Sequence, residues 1–251
     1  MILINNLSVS YDKQDNVIEN LNLQLNENCI HGIVGLNGAG KTTLLNSIFG
    51  LKRYNQGEIL FNKKKLTKKD ISFLPTENYF YPNITGREYL KLFKNKDFDI
   101  EKWNALFVLP LDKIIDTYST GMKKKLALLG MFRNDKPIMI LDEPFNGLDI
   151  ETSRILRSIL MKFRKNKKTI IITSHIIETL TNICDYIHYL EGKKIKSTIE
   201  KDDFKNFENE LFNSIESKNI RLISELIKYE TPTKNIVHLA DSAKNENDNN
   251  K

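Results

Sequence analysis

The stretch GLNGAGKTT at residues 35–43 constrains the fold of this chain more than any other. It follows CIHGIVG, a short β-rich apolar run, and opens KTTLLNSIFGL, whose apolar spacing is helical until Gly50. It fits G-x-x-x-x-G-K-[ST], a pattern that has meaning only between a strand and a helix. Gly35, Gly38 and Gly40 let the backbone curl, so that successive N–H groups through Leu36, Asn37 and Ala39 turn toward phosphate oxygens. Lys41 brings a point charge to the outer phosphates, the Thr42 hydroxyl is placed for Mg2+, and Thr43 can reach an inner phosphate.

The remaining pattern extends this strand–loop–helix unit. ILINNLSVSY, VIENLNLQL, GEILFN and ISFLP read as strands. From Thr85 to Arg133 the period becomes helical, in TGREYLKLF, DIEKWNALFVL and GMKKKLALLGMF. Strands and helices then alternate: PIMILD, a helix over 150–165, TIIITS, a helix over 176–184, and YIHYLEG. This predicts an α/β fold with a parallel sheet covered on both faces and a helical subdomain over about 78–133. One domain is expected over 1–200. Residues 201–251 read as an extension in which the pattern weakens, with a disordered tail at 241–251.

Composition narrows the class. Of 251 residues, 40% are hydrophobic and 28% charged, and the apolar runs IMIL and III are far short of the ~20 residues of a membrane span. The N-terminus has no basic start followed by a long apolar stretch, which argues against a signal peptide. Cys29 and Cys184 read as buried free thiols of a reducing cytosol. The net charge is +6, with lysine clusters at 63–69, 162–168 and 193–201. They lack interleaved aromatics, so a solvated face is expected, ahead of a membrane-surface location and, last, nucleic acid.

Further chemistry lies beyond the loop. IMILDE is an apolar strand ending in Asp142, which can hold a Mg2+ shell, and in Glu143, which can act as a general base on water. TSH ends the next strand and puts His175 at the sheet edge where parallel sheets hold ligands. YSTGM, at 118–122, places a serine and a glycine before a lysine-rich helix, which is how a second anion-binding helix start would be written.

In that order, GLNGAGKTT, YSTGM, ILDEP, GLD and TSH resemble the ABC ATPases, the nucleotide-binding subunits of ABC transporters. The resemblance covers about residues 1–200. It implies a RecA-like P-loop core with an antiparallel β-subdomain and an α-helical subdomain, and ATP with Mg2+ as ligands. It also accounts for the second anion end: two subunits pack head to tail, and Ser119 and Gly121 close on ATP held by the other copy. By position, Tyr11 matches the aromatic that stacks on adenine, Glu143 the catalytic glutamate, His175 the switch histidine and Asp149 an interface residue. Two departures stand out. The signature reads Tyr-Ser-Thr-Gly-Met, and Thr76 stands where the family has a glutamine that contacts Mg2+ and its water. A separate membrane permease, a second ATPase subunit (a homodimer) and a cytoplasmic position on the inner face of the membrane are implied. The stretch FLPTENYFYPNITGREYL is similar to exporter ATPases, and YFYP is the docking candidate. The alternative is a soluble ATPase acting on nucleic acid or ribosomes.

Overall fold

Alternating buried and exposed side chains build the first sheet in the computed structural model, which describes residues 1–12 and 15–226. Strand β1 (Ile2–Ser10) pairs antiparallel with β2 (Asn16–Leu25), Ile2 opposite Leu25 and Ile4 opposite Leu23. On its other side β1 meets β4 (Gln56–Phe61), and β5 (Lys64–Lys65) closes that edge. The order is β2-β1-β4-β5.

The second sheet runs β10-β9-β3-β8-β7-β6, formed by β3 (Ile30–Val34), β6 (Ile71–Leu74), β7 (Ile138–Leu141), β8 (Thr169–Thr173), β9 (Tyr186–Glu191) and β10 (Lys194–Glu200). All neighbours are parallel except β9 and β10. Every residue of β3, β7 and β8 is buried, as parallel strands covered on both faces require. Helix α1 (Lys41–Phe49) lies between the sheets. Its Leu44, Leu45 and Ile48 share one core with Ile2, Ile4 and Ile18 of the first sheet and Ile33, Ile140 and Ile171 of the second. Burial of each such side chain contributes roughly 1.5–3 kcal/mol, so the helix start is held firmly against both sheets.

The helical segment comprises α2 (Gly86–Lys91), α3 (Ile100–Asn104) and α4 (Thr120–Asn134). The sequence predicts longer helices for the first two. Asn104 explains one shortfall. Its side chain donates to the Leu109 carbonyl and accepts from the Leu109 N–H, both at 3.0 Å, and Val108 takes a left-handed φ of 50°. The chain therefore turns back where periodicity alone would continue the helix. Phe80, Phe93 and Trp103 pack inside this segment through Tyr89, Phe98 and Phe132, whereas Tyr79 and Tyr81 are exposed.

Helix α5 (Ile150–Lys165) spans the predicted residues, but α6 (Ile177–Thr181) is shorter than expected. There the Asp185 N–H bonds the Ile30 carbonyl and draws the chain into the sheet register. The elements β5, β10 and α7 (Phe204–Leu226) were not anticipated. The first compact unit runs from Met1 to Glu208, and Phe207 at its end packs on Tyr189 with ring centroids 5.6 Å apart. The second unit begins at Asn209, within α7. The predicted tail at 241–251 lies outside the described residues. Cys29 and Cys184 are free thiols. Among the described residues no helix is long and apolar enough to cross a membrane.

Candidate active site

Because β3, β8, β7 and β6 are parallel, their C-terminal ends deliver residues 35–40, 174–175, 142–143 and 75–76 to one edge. A cavity of about 450 Å³ opens there, lined by residues that include Asn37, Gly38, Lys41, Thr42, Thr76, Glu143 and His175. The glycines are needed for two different reasons. Gly38 and Gly40 have φ of 79° and 104°, which L side chains rarely adopt. A Cβ on Gly35 would stand 2.5 Å from the Leu190 carbonyl oxygen. Gly40 begins α1 without a side-chain cap, so N–H groups of the first turn are left for a ligand. Lys41 is buried, and its Nζ donates to the Gly35 carbonyl at 2.8 Å, arching over the loop. Leu36 points outward, and its carbonyl accepts the Ala39 N–H at 3.1 Å.

Asp142 is wholly buried, yet among the described residues its carboxylate accepts hydrogen bonds from hydroxyls. Its Oδ2 accepts from Thr42 Oγ1 and from Thr76 Oγ1, each at 2.8 Å, and its Oδ1 accepts from Thr173 Oγ1 at 2.5 Å. Thr173 escaped the sequence reading, which took only His175 from TSH. Its oxygen also accepts the Glu143 N–H at 3.0 Å, tying two acidic residues to β8.

Glu143 has a left-handed φ of 48°, which for a residue with a Cβ costs about 1–2 kcal/mol. Strain of this kind persists only where surrounding contacts hold it. Here they are the Thr173 bond and Lys124, whose Nζ donates to the Glu143 carbonyl at 3.2 Å. Burial pushes the Lys124 pKa down, against the opposing pull of Asp142 and Glu143. Lys124 was also missed, because it reads as one lysine among three on a polar helix start. His175 Nδ1 lies 3.1 Å from Glu143 Oε2. The histidine is half exposed while the glutamate is nearly covered, so the pair bridges solvent and site.

Tyr11 belongs to the same end of the molecule. Its ring is exposed, its hydroxyl lies 3.2 Å from Thr43 Oγ1, and Lys52 Nζ sits 4.0 Å from the ring centroid. Ser119, Gly121 and Asp149 do not line the cavity. Ser119 caps α4 by accepting the Met122 N–H at 3.3 Å, and both it and Thr120 are exposed. A Cβ on Gly121 would lie 3.3 Å from the Gly147 carbonyl oxygen. Asp149 caps α5 by accepting the Thr152 N–H at 2.7 Å, and its carboxylate lies 3.1 Å from Lys125 Nζ. These bonds, the Thr152 N–H first, hold its carboxyl well below the usual carboxylate range.

The donor set fits a divalent cation beside phosphate: a buried carboxylate, neutral hydroxyls, a lysine and open N–H groups. The family model described as "ABC transporter" matches residues 18–146. The lantibiotic transport ATP-binding protein SrtF of Streptococcus pyogenes is 30% identical over 223 residues, covering 85% of this chain and 96% of SrtF. This chain belongs to the ABC transporter family. The bacitracin transport ATP-binding protein BcrA of Bacillus licheniformis is 31% identical over 220 residues, covering 82% of this chain and 71% of BcrA. A solved ATP-binding subunit of an ABC transporter superposes with a TM-score of 0.71 at 25% identity, covering 81% of this chain and 91% of that one. The dimeric cassette MJ0796 in a post-hydrolysis state with ADP and Pi gives a TM-score of 0.71 at 21% identity, over 80% and 99%, and supports the fold. This ABC ATPase is an ATP-binding subunit that takes ATP with Mg2+ and hydrolyses it. The nucleic-acid alternative finds no support in these relatives.

Proposed function

We propose that the chain hydrolyses ATP with the residues gathered at the sheet edge, and that a second copy completes the site. The observation that carries this reading is the 2.8 Å bond between Thr42 and Asp142, which joins the phosphate loop to the strand-end carboxylate. Thr42 and Asp142 would hold Mg2+, which when bound neutralises charge on the outer phosphate oxygens. Lys41 and the open N–H groups of α1 bind the phosphates, and Tyr11 stacks on adenine. Glu143 takes the proton of the attacking water, and His175, bonded to that carboxylate, orients it.

Ser119 and Gly121 do not line their own cavity, which supports their use in trans, with Asp149 at the seam. Power passes to a separate permease through the exposed Tyr79 and Tyr81, on the loop that leaves Thr76. The protein then sits on the cytoplasmic face of the membrane. Relatives named for lantibiotic and bacitracin transport support antibiotic-type substrates, and the resemblance of the stretch after β6 supports export. The test is ATP binding against turnover. Glu143→Gln should bind ATP as the wild type does and lose Mg2+-dependent phosphate release, while Lys41→Ala should lose binding. Full turnover in Glu143→Gln would remove the glutamate from its role.

A further inference from the structure

Among the described residues the Thr76 hydroxyl donates one hydrogen bond, to the Oδ2 of Asp142, the same oxygen that Thr42 uses. Asp142 is therefore gripped by three hydroxyls from three separate elements: Thr42 at the start of α1, Thr173 at the end of β8, and Thr76 just past β6. A carboxylate has about four lone-pair sites, and these bonds fill three of them with neutral donors. No arginine or lysine bonds the carboxylate among the described residues, so its negative charge stays available while its orientation is fixed.

We infer that Thr76 is a positioning residue for Asp142, acting on the metal site through that carboxylate rather than by reaching the metal itself. This rests on the reading of Thr42 and Asp142 as the Mg2+ residues. The geometry makes the argument. A threonine hydroxyl is one atom beyond Cβ, so the 2.8 Å bond fixes the Thr76 backbone close to the end of β7. Removing the hydroxyl leaves Oδ2 with one donor and lets the carboxylate rotate toward Thr42. Partners that orient a metal ligand typically matter by 10–100-fold in metal affinity.

The probe is Mn2+ bound to the ADP complex of the full chain, read by electron paramagnetic resonance, with ADP affinity measured without metal as the control. Thr76→Val should weaken Mn2+ by about tenfold or more, leave metal-free ADP binding unchanged, and stay folded at the assay temperature. Thr76→Ser should restore wild-type Mn2+ affinity, because it returns the hydroxyl. Thr42→Val and Asp142→Asn calibrate the site by losing Mn2+ altogether. Wild-type Mn2+ affinity in Thr76→Val, with Thr42→Val and Asp142→Asn impaired, would overturn the positioning role and leave the site intact. Wild-type affinity in all three variants would instead overturn the metal site itself. A Thr76→Ser protein as weak as Thr76→Val would show that the side chain acts by packing, which also overturns the proposal.

Discussion

Two helix starts of this ABC ATPase, those of α1 and α4, are built in opposite ways. Helix α1 opens on Gly40, has no side-chain cap, and leaves its first N–H groups beside a buried lysine and a buried carboxylate of the same chain. Helix α4 opens on Ser119, which caps its own helix and stands exposed. Of the lysines that follow, Lys124 turns inward to the Glu143 carbonyl and Lys125 pairs with Asp149. The first start is a binding site made within one chain. In the proposed reading the second is a surface that closes on ATP held by another copy, while its Lys124 bonds the carbonyl of the strained Glu143 of its own chain. A helix N-terminus is thus competent for an anion in both places, but only one has its counter-groups at hand.

The largest break expected in this contrast comes at the first start. Glu143→Gln should lower turnover by at least about two orders of magnitude, the scale of a lost general base, with ATP affinity retained. Phosphate-release assays alongside equilibrium binding check both. At the second start, Ser119→Arg should leave ATP affinity of the single chain within about twofold while turnover collapses. An equal loss of both would mean that Ser119 serves its own cavity.

A further test lies away from both starts, in a buried histidine pair. His31 and His188 are buried and bonded to each other at 3.0 Å, with His31 Nε2 on the Asn26 carbonyl and His188 Nδ1 on Thr198. Burial drives both pKa values down, that of His188 to about 3 with His31 adding to the effect. Both rings therefore bind fewer protons folded than unfolded. Stability is complete above the unfolded value near 6.5 and is lost as pH falls toward the folded value. For His188 this amounts to about 2 kcal/mol at pH 5. Thermal melts between pH 7.5 and 5 should show the fall, and His188→Gln should flatten it. The smallest effect is at Tyr11. Tyr11→Ala should weaken ATP by roughly the 0.5–1.5 kcal/mol of an aromatic stack, a few-fold change in Kd, and leave phosphate release at saturation intact.

What the sequence revealed follows the same division. GLNGAGKTT and IMILDE were legible because their chemistry depends on local backbone and on strand ends, and both occur in unbroken stretches. Thr173 and Lys124 were not. Each acts on Glu143 from a different element, across 30 and 19 residues of chain, and neither carries a local signal. The early end of α3 was hidden for a related reason, since the Asn104 clamp on Leu109 is a side-chain event within a helical period. β10 has only two apolar residues, Ile195 and Ile199, between exposed polar ones, and the beginning of α7 is fixed by the long-range contact of Phe207 with Tyr189.

The central claim, that the α4 start completes a site held by another copy, is tested most directly by light scattering on size-separated Glu143→Gln protein, with and without ATP and Mg2+. Expected are one chain mass without nucleotide, twice that mass with it, and a return to one mass when Ser119→Arg is added. A Glu143→Gln protein that binds ATP to saturation and remains at one chain mass would contradict it.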